Sequence, residues 1–546
     1  MHLHTCHQPG GSMEGHIYNA AKLGMHYIRF TDHDTRTGRK HNPVDSFDFS
    51  RGVIEYNDSK KNNCGWETVG SPEISFDKNG MNLTASSEGE DYDSVGIRFF
   101  SSGTRHTVSL IAEVSLLLGL FFEIKGDARI VLDVRLSQRP PEHKPGHFRY
   151  VFGELPVNRA PHTVSVPIEI SPDGLYCLKL SDDIRDREEV GGLDNVFDTL
   201  SILLETRRGG SISCRVNRFE IKALYGYDDV IIRQRVIADR IGAKYGVKPF
   251  VTTEISGAGQ HKNVFSTKVP VINYEKLAYS VTELQAIKHV KKHGGIFAYN
   301  HPFESDKYKR RSFTPEEINS IVMRDAASLI STRAYGASLM EVGFVEGRGY
   351  FGLAEYLRLW DLLSLGGVFI TGYGDSDSHH NDKSWFDGQN FATWIAADEA
   401  FPFPVPEEEF ITSMKSGRAY AGDPVHLTYS IDFFAGYVPM GGIITVPDRD
   451  TAARKMTFRA ASPKIGSEVR VIADGELLLT ESVISDGELV LDFELKPSRP
   501  VSFARVELYN PDGRCILLTN PIYLVRSEEY VGEIPECRIY TKEKND

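Results

Sequence analysis

The sequence has few cysteines, no clustered basic stretch and no long hydrophobic run, and each absence excludes a class of protein. Six cysteines in 546 residues, with no CxxC pair, exclude a disulfide scaffold and a thiolate zinc site. The net charge of −13, without clustered lysine and arginine, argues against binding of nucleic acid or an anionic membrane. The longest apolar run, VSLLLGLFFEI at 114–124, is too short for a membrane span and predicts a buried strand.

The composition is that of a globular protein, with 41% hydrophobic and 25% charged residues. The length suggests about two to four domains. No signal peptide is visible. The first histidine pair stands at residues 2 and 4, so we expect either a very short first strand or residues missing before it. The cellular compartment is therefore left open.

Changes in the pattern of predicted elements divide the chain into three parts. Strand–helix alternation indicates parallel βα units in residues 1–46 and 223–424. Between them, residues 47–222 show short alternating segments separated by turn residues and no helix, which predicts a β-sandwich. Residues 425–546 return to the β pattern. We therefore expect one discontinuous α/β domain, an inserted jelly-roll-like sandwich and a small C-terminal sandwich.

Two helices of the second α/β segment carry start signals in the sequence. Ser280 and Glu283 have the spacing of a capping box, and the helical pattern that follows stops at a glycine pair. Pro315 stands at the start of FTPEEINSIVMRDA, where its missing N–H costs nothing. Both segments are therefore predicted as helices that connect strands.

Histidines and acidic residues concentrate where the strands of the α/β part end. Functional groups collect at this edge in parallel βα proteins. A His-x-His sequence on a strand places both rings on one face, because strand side chains alternate, and DSDSH repeats this with an acid and an imidazole. The residues at these strand ends are His2, His4, Asp32, His33, Asp34, Glu254, His261, His301, Asp377 and His379.

Imidazoles and carboxylates without cysteine are ligands for divalent ions such as zinc, manganese and iron. Each motif alone also has a structural interpretation: NHP is more often a turn, and TDHD is compatible with an Asx-type turn. Their recurrence at successive strand ends predicts a metal site. A carboxylate such as Glu254 can bridge two ions, and ions about 3.5–4 Å apart can hold a hydroxide and polarise a phosphoryl or carbonyl oxygen.

The motifs HLHT, TDHD, TTEIS, GGIFAYNHPF and GYGDSDSH resemble, in this order, those of the PHP (polymerase and histidinol phosphatase) metallohydrolases. The resemblance covers about 1–46 and 225–425. The tail RVELYNPDG…LLTNPIYL is similar to an accessory domain in a branch that includes carbamate hydrolases. The resemblance implies a distorted (β/α)7 TIM-like barrel, here interrupted by the inserted β-sandwich and followed by the C-terminal one.

The resemblance also implies two or three divalent ions, drawn from zinc, manganese and iron. One ion is assigned to four ligands, a second shares the bridging carboxylate of Glu254, and a third takes two histidines. The assigned ligands are His2, His4, Glu254 and Asp377 for the first ion, Glu254, His261 and His301 for the second, and His33 and His379 for the third.

The ligands assigned to the third ion differ from the usual pattern of the resembled family. A further histidine or aspartate usually follows the His-x-His by six residues, but that position is Gly10 and its neighbour is Pro9. His7 is the substitute that we assign as a ligand, and Glu14 and His16 are further candidates. A two-metal enzyme is therefore an alternative to a three-metal one.

Phosphate ester hydrolysis is the commonest activity in the resembled family, so a phosphoesterase acting on a small molecule is the first hypothesis. Arg36 and Arg39 follow TDHD together with Lys40, and Arg348 lies in EGRGY. These cations are candidates for phosphate binding through charge-assisted contacts, and a solvated loop is the alternative. Amide or carbamate hydrolysis is the second hypothesis.

Three residues are the candidates for catalysis itself. Glu254 would offset the charge of two ions, and His33 or His379 would pass a proton to the leaving group if the third ion is absent. The segment FDTLSILLETRRGGSISCRVNRFEI resembles the closing strands of jelly-roll domains that often bind carbohydrate, although the pattern is weak and a purely structural sandwich is the favoured interpretation. A carbohydrate-binding protein with a degenerate hydrolase domain is therefore the third hypothesis.

Overall fold

A computed structural model shows how the chain folds. No helix in the described part of the chain is long and apolar enough to cross a membrane. The structure describes residues 2–3, 12–34, 41–48, 66–100, 108–139, 144–155, 160–190, 194–224, 227–256, 260–268, 272, 281–303, 312–343, 351–378, 385, 391–397, 401 and 403–540.

The chain begins with a strand, a helix and a second strand: β1 (His2–Leu3), α1 (Met13–Lys22) and β2 (Tyr27–His33). α1 starts at Ser12, whose side chain accepts a hydrogen bond from the backbone N–H of Gly15, the usual N-cap geometry. It is followed by Gly24, whose φ of 69° needs a residue without a Cβ. These signals define the two ends of α1, the helix that connects the parallel strands β1 and β2.

Residues 41–224 form two sheets of their own. One has the order β12-β11-β10-β14-β7-β4, with β8 beside β14, and the other has the order β13-β9-β15-β6-β5, with β3 beside β15. A five-residue helix, α2 (Leu180–Ile184), interrupts a region where the sequence indicated none. The strands are β3 (His41–Asp48), β4 (Trp66–Val69), β5 (Glu73–Asp77), β6 (Gly80–Ser87), β7 (Asp93–Phe100), β8 (Val108–Ser109), β9 (Glu113–Lys125), β10 (Ala128–Arg139), β11 (Lys144–Gly153), β12 (Thr163–Pro167), β13 (Leu175–Leu178), β14 (Val196–Thr206) and β15 (Gly210–Leu224).

The apolar run at 114–124 is the interior of β9, as its length and composition predict. Leu116, Leu118 and Leu120 are buried in β9 and belong to a core that fills the space between the two sheets. Ile17 of α1 and Phe30 of β2 belong to the same buried cluster. The two sheets of the insertion therefore pack against the first βα segment through a continuous apolar core.

The chain then returns to helix–strand alternation. Its elements are α3 (Tyr227–Tyr245), β16 (Lys248–Ile255), β17 (Lys262–Phe265), α4 (Glu283–Lys292), β18 (Ile296–Tyr299), α5 (Pro315–Ser331), β19 (Leu339–Gly343), α6 (Leu353–Leu365) and β20 (Thr371–Gly374). They complete a seven-stranded sheet of order β1-β2-β16-β17-β18-β19-β20. β17 runs antiparallel to both neighbours, and the other pairs are parallel. Closure of this sheet into a distorted barrel stays a prediction.

The start of α4 differs from the sequence-based prediction. The capping box is formed by Thr282 and Gln285, and Glu283 is the first helical residue; Ser280 lies outside the described residues. Thr282 accepts a hydrogen bond from the Gln285 backbone N–H, and the Gln285 side chain accepts one from the Thr282 backbone N–H at 2.8 Å. The T-x-x-Q pair is chemically equivalent to S-x-x-E, so the sequence offered two overlapping signals two residues apart.

The start of α5 offers a stability test. Thr314 and Glu317 form a reciprocal capping box, and Pro315 is the first helical residue. We expect Thr314→Ala to weaken the first turn of α5 by about 1 kcal/mol, because the backbone N–H of Glu317 loses its acceptor. Hydrogen exchange of the amides in this turn measures the change. Thr314→Ser should behave like the parent protein, and equal exchange in the alanine variant would contradict the capping role.

The C-terminal part contains an eight-stranded and a four-stranded sheet. Two strands before residue 425, β21 and β22, belong to the larger sheet, so this sheet begins ahead of the expected boundary; the division into domains stays a prediction. The elements are β21 (Ala392–Ile395), α7 (Glu407–Ser416), β22 (Ala419–Gly422), β23 (Ile431–Ala435), β24 (Val438–Pro439), β25 (Ile443–Val446), β26 (Arg454–Ala460), β27 (Glu468–Ala473), β28 (Glu476–Ser482), β29 (Leu489–Leu495), β30 (Val501–Tyr509), β31 (Cys515–Thr519) and β32 (Ile522–Arg526).

A buried ion pair joins this part to the α/β sheet. Arg505 of β30 donates hydrogen bonds to both carboxylate oxygens of Asp361 on α6, at 2.7 and 2.8 Å. A paired and doubly hydrogen-bonded guanidinium is the form in which arginine is tolerated in a protein interior. The contact fixes the packing of β30 against α6.

Candidate metal centre

The side chain of Glu254 lies at the centre of a histidine cluster. Glu254 is fully buried near the end of β16, and its register partner on β2 is His33. His33 Nδ1 is 2.7 Å from Glu254 Oε2, and His261 Nδ1 is 3.3 Å from Oε1. One ligand atom from each of the three residues lies within 4.8 Å of the other two. The cluster thus offers two imidazole nitrogens and a carboxylate to one cation.

His301 extends this cluster from the end of β18. Its Nε2 is 3.8 Å from Glu254 Oε1 and 3.3 Å from His261 Nδ1. The residue has a φ of 26°, in the left-handed region that non-glycine residues rarely adopt. Strained backbone of this kind persists only where the surroundings hold it, and such positions cluster at functional sites. The geometry therefore adds a fourth donor to the candidate site.

Glu341, near the end of β19, fixes the orientation of His301. Its Oε2 accepts a hydrogen bond from the His301 backbone N–H at 2.6 Å and lies 3.1 Å from His301 Nδ1. With Nδ1 held by a carboxylate, Nε2 is the nitrogen directed toward Glu254 and His261. A carboxylate behind a ligating histidine is the usual support of a metal site, since it fixes the ring and raises its basicity.

The pKa of His301 reflects these contacts. Burial by itself lowers the pKa of His301, but the hydrogen bond and the charge of Glu341 act in the opposite direction, and the charges of Asp377 and Glu254 add to them. The net result is a pKa raised to about 9. The carboxylates around His301 therefore favour positive charge on its ring.

Asn300 and the residues that it contacts fix the orientation of the Glu254 carboxylate. Asn300 Nδ2 donates a hydrogen bond to Glu254 Oε1 at 2.8 Å. The amide oxygen of Asn300 in turn accepts hydrogen bonds from the Tyr373 hydroxyl at 3.0 Å and the Asn263 backbone N–H at 3.3 Å. Asn300 is thereby locked in one orientation, and the Glu254 carboxylate with it.

The histidine of the TDHD motif contacts the cluster. Asp32 accepts a hydrogen bond from the side-chain amide of Gln234, and Asp34 accepts one from the backbone N–H of Ser256 at 2.9 Å. Because strand side chains alternate, His33 points to the opposite face, toward Glu254. The two aspartates bind neighbouring elements, and the histidine supplies the donor.

The sequence-predicted residues have three outcomes. His33, Glu254, His261 and His301 come together. Asp377 is half-buried, has a φ of 45°, and lies close enough for its charge to raise the pKa of His301. The remaining predicted site residues lie outside the described side chains, although β1 itself pairs with β2: His2, His4, His7, Arg36, Arg39, Arg348 and His379.

The two further candidates for a third ion have other contacts. Glu14 Oε1 accepts hydrogen bonds from Lys244 Nζ at 2.6 Å and from the Tyr245 hydroxyl at 2.9 Å, which ties α1 to α3. The buried ring of His16 packs against Trp385, with ring centroids 5.5 Å apart. Glu14 therefore has a structural role that the sequence alone did not reveal.

The supporting residues Glu341, Asn300 and Asn263 were missed by the sequence analysis. Glu341 is a single acid inside the apolar strand LMEVG, and Asn300 immediately precedes His301. An isolated acid near the end of a buried strand is a usable signal, because burying an unpaired carboxylate is costly. Asn263 lies on β17, which the sequence pattern did not indicate.

The donor set fits a divalent ion. Three histidines surround one fully buried carboxylate, whereas a simple ion pair would need only one. Nitrogen and carboxylate donors without thiolate suit zinc, manganese or iron. His33 and His261 are 25% and 36% exposed, whereas Glu254 and His301 are buried. The cluster thus has a closed side and a side open to a small molecule.

Comparison with known proteins gives only weak similarities. No protein-family model and no curated protein matches the sequence. A two-domain protein from Bacteroides vulgatus, described as containing a predicted PHP-like metal-dependent phosphoesterase, is 14% identical; the match covers 53% of this chain and 79% of that chain, with a TM-score of 0.27. A family 12 xyloglucanase from Bacillus licheniformis is 10% identical over 34% of this chain and 98% of its own, with a TM-score of 0.20. At these TM-scores the similarities carry no argument about fold or function.

Proposed function

We propose that the chain is a metal-dependent hydrolase, with phosphate esters of small molecules as the favoured substrates. The observation that carries this proposal is the arrangement at Glu254, a buried carboxylate with three histidine nitrogens within 3.8 Å. His33, Glu254, His261 and His301 are the described residues that would hold an ion. A divalent ion in this position would lower the pKa of a water molecule to about 7 and polarise a phosphoryl oxygen.

The residues of the cluster divide the remaining tasks. Asn300 and Glu341 hold Glu254 and His301 in place, so little reorganisation is needed when a substrate arrives. If His33 holds no ion, its place on the open side would let it pass a proton to a leaving group. Substrate would approach past His33 and His261, since the opposite side is closed by the sheet.

The choice of phosphate esters rests on the family that the motifs resemble, and so does the barrel fold. The cluster itself is equally suited to amide or carbamate hydrolysis, because both reactions need an activated water and a polarised oxygen. Arg36, Arg39 and Arg348 would favour a phosphate, and they lie outside the described residues. Carbohydrate binding by the inserted sheets also stays a prediction.

Metal content is the first test of this function. Protein purified without chelator should contain two or three ions of zinc, manganese or iron per chain, measured by elemental analysis. Zinc displaces weaker binders during purification, so each metal should be added back separately before activity is assayed. Fewer than one ion per chain, with no activity gained on adding metal, would contradict the proposal.

A panel of chromogenic substrates separates the candidate reactions. Phosphate monoesters and diesters should be hydrolysed in preference to carboxyl esters, anilides and carbamates. Preference for a carbamate or an anilide would favour the second reaction class and leave the metal centre intact. Loss of all activity on chelation, with recovery on adding metal, is expected in either case.

A further inference from the structure

A cavity lies on the same sheet as the histidine cluster, toward the other end of β2. It has a volume of about 600 Å³ and is enclosed by β2, β16, β17 and β20 on one side and by α7, β21, β22 and residues 424–430 on the other. None of His33, Glu254 and His261 lines it. The cavity therefore does not include these three residues, although Asn263 and Tyr373, which contact Asn300 behind Glu254, form part of its wall.

The two sites lie on one face of the sheet and at opposite ends of β2. Arg29 and His33 are four residues apart on β2, so their side chains point to the same face. Four residues of extended chain span about 13 Å. Phe250 has the same relation to Glu254 on β16. A molecule bound at Arg29 and Phe250 would thus contact the sheet about 13 Å from His33 and Glu254, whereas Asn263, the register partner of Glu254, lines the cavity closer to the cluster.

Arg29 provides the positive charge of the cavity, which the carboxylate of Asp375 also lines. It is only 4% exposed, and its guanidinium lies over three aromatic rings, those of Phe265, Phe250 and Phe410, at 4.4, 5.2 and 5.6 Å from the ring centroids. No nitrogen of this guanidinium makes a hydrogen bond within the described part of the chain. Its one ion pair there is with Glu407 Oε1, at 3.5 Å.

This arrangement leaves the guanidinium without sufficient acceptors. Arginine has five N–H donors, and aromatic faces attract its charge without accepting those hydrogens in the way an oxygen does. Burial lowers the pKa of Arg29 to about 10, so the group is still charged at neutral pH. Burial also raises the pKa of Glu407, against the effect of the Arg29 charge. A buried charged donor in this state needs an acceptor from a ligand.

The remaining lining is mostly apolar and aromatic, and its polar members include Asn263, Asp375, Thr393, Thr428 and Ser430. Trp394 and Tyr420 stack with their planes 7° apart, and Tyr27 and Phe250 stack at 16°. Phe403, which is 68% exposed, contacts the ring of His26 where the cavity meets solvent. Cavities of about 300–1,000 Å³ with an apolar lining and a few polar groups are the usual form of small-molecule sites.

We propose that this cavity binds a small organic acid, a carboxylate attached to an aromatic or alkyl body. The carboxylate would take the free N–H edge of Arg29, with which a planar two-oxygen acceptor can form paired hydrogen bonds. The apolar body would lie along Phe250, Trp394 and Tyr420. The proposal does not depend on the hydrolase function, because the acid would contact none of the proposed metal ligands.

The test is calorimetric titration of the full chain with 4-phenylbutyrate and decanoate, each compared with its neutral amide. Both acids should bind at least about 10-fold more tightly than their amides, which corresponds to the loss of one charge-assisted hydrogen bond. Arg29→Met should abolish this preference. Arg240→Met, at an exposed position of α3, should leave it unchanged. Acid bound at the histidine cluster would instead retain the preference in Arg29→Met.

A second measurement covers the case in which Arg29→Met fails to fold. Because Trp394 lines the cavity, binding of the acids should change the tryptophan fluorescence of the unaltered protein, and Trp394→Phe should remove most of that change. Equal affinity for acid and amide, binding of neither acid, or a fluorescence change that survives Trp394→Phe would each overturn the proposal.

Discussion

Glu254→Gln is expected to lower kcat by at least about 100-fold and metal occupancy along with it. That loss is the scale observed when one well-placed electrostatic stabiliser is removed from an active site. Glutamine keeps the shape of the side chain and can still accept the hydrogen bond from Asn300 Nδ2. What it removes is the negative charge that faces three imidazoles.

The size of the effect follows from the position of Glu254 in the cluster. Its Oε2 lies 2.7 Å from His33, and its Oε1 lies 3.3 Å from His261 and 3.8 Å from His301. An ion held by any of these histidines therefore lies next to the Glu254 carboxylate, and a bridging role would make two ions depend on it. Because Glu254 is fully buried, solvent offers little to replace its charge.

Metal analysis and steady-state kinetics on the same preparation measure this prediction. Glu494→Gln is the matched control, since it removes an exposed carboxylate from β29 in the C-terminal sheet. It should have normal metal content and turnover. A Glu254→Gln protein with full metal and near-parental turnover would show that the carboxylate does not hold the ions.

The grouping of His33, Glu254, His261 and His301 could be predicted because it depends on local pattern, and their role as metal ligands stays a prediction. Side-chain alternation in β2 is enough to place His33 opposite Asp32 and Asp34, and the strand-end position is enough to bring Glu254 and His301 to the same edge. The run at 114–124 was identified as buried strand by its composition alone. These features require only the period of a strand and the direction of the chain.

The supporting contacts could not be predicted because they join residues far apart in sequence. Glu341 reaches His301 across 40 residues, and Asn300 reaches Glu254 across 46. β17 has only four residues, which is too short to show a periodic pattern in the sequence. Its antiparallel direction therefore could not be predicted. Arg29 looks like an ordinary strand residue until Phe265 and Phe410, from distant elements, close over it.

Glu341 is the most important site residue that the sequence analysis did not predict. Its contacts show that the centre has a supporting layer: Glu341 holds His301, and Asn300 holds Glu254, from neighbouring strands of one sheet. A donor set held in this way can bind a cation with little loss of side-chain freedom. The strength of that support is measurable independently of the donors themselves.

Glu341→Gln is expected to weaken metal binding about 10- to 100-fold, the range typical for the carboxylate partner of a ligating histidine. Glutamine can still accept the hydrogen bond from the His301 backbone N–H, so the left-handed backbone of His301 should persist. It lacks the charge that raises the basicity of the His301 ring. The loss should therefore appear in metal affinity, while KM for a substrate measured at saturating metal should change little.

Competition with a metallochromic chelator gives the affinity, and kinetics at low and saturating metal separate occupancy from turnover. Excess metal should restore most of the kcat of Glu341→Gln, because the donors that hold the ion are all present. Glu341→Ala should bind metal more weakly than Glu341→Gln, since it also leaves the His301 backbone N–H without an acceptor. Parental metal affinity in both variants would show that His301 does not ligate, and that Glu341 serves only the packing of β19.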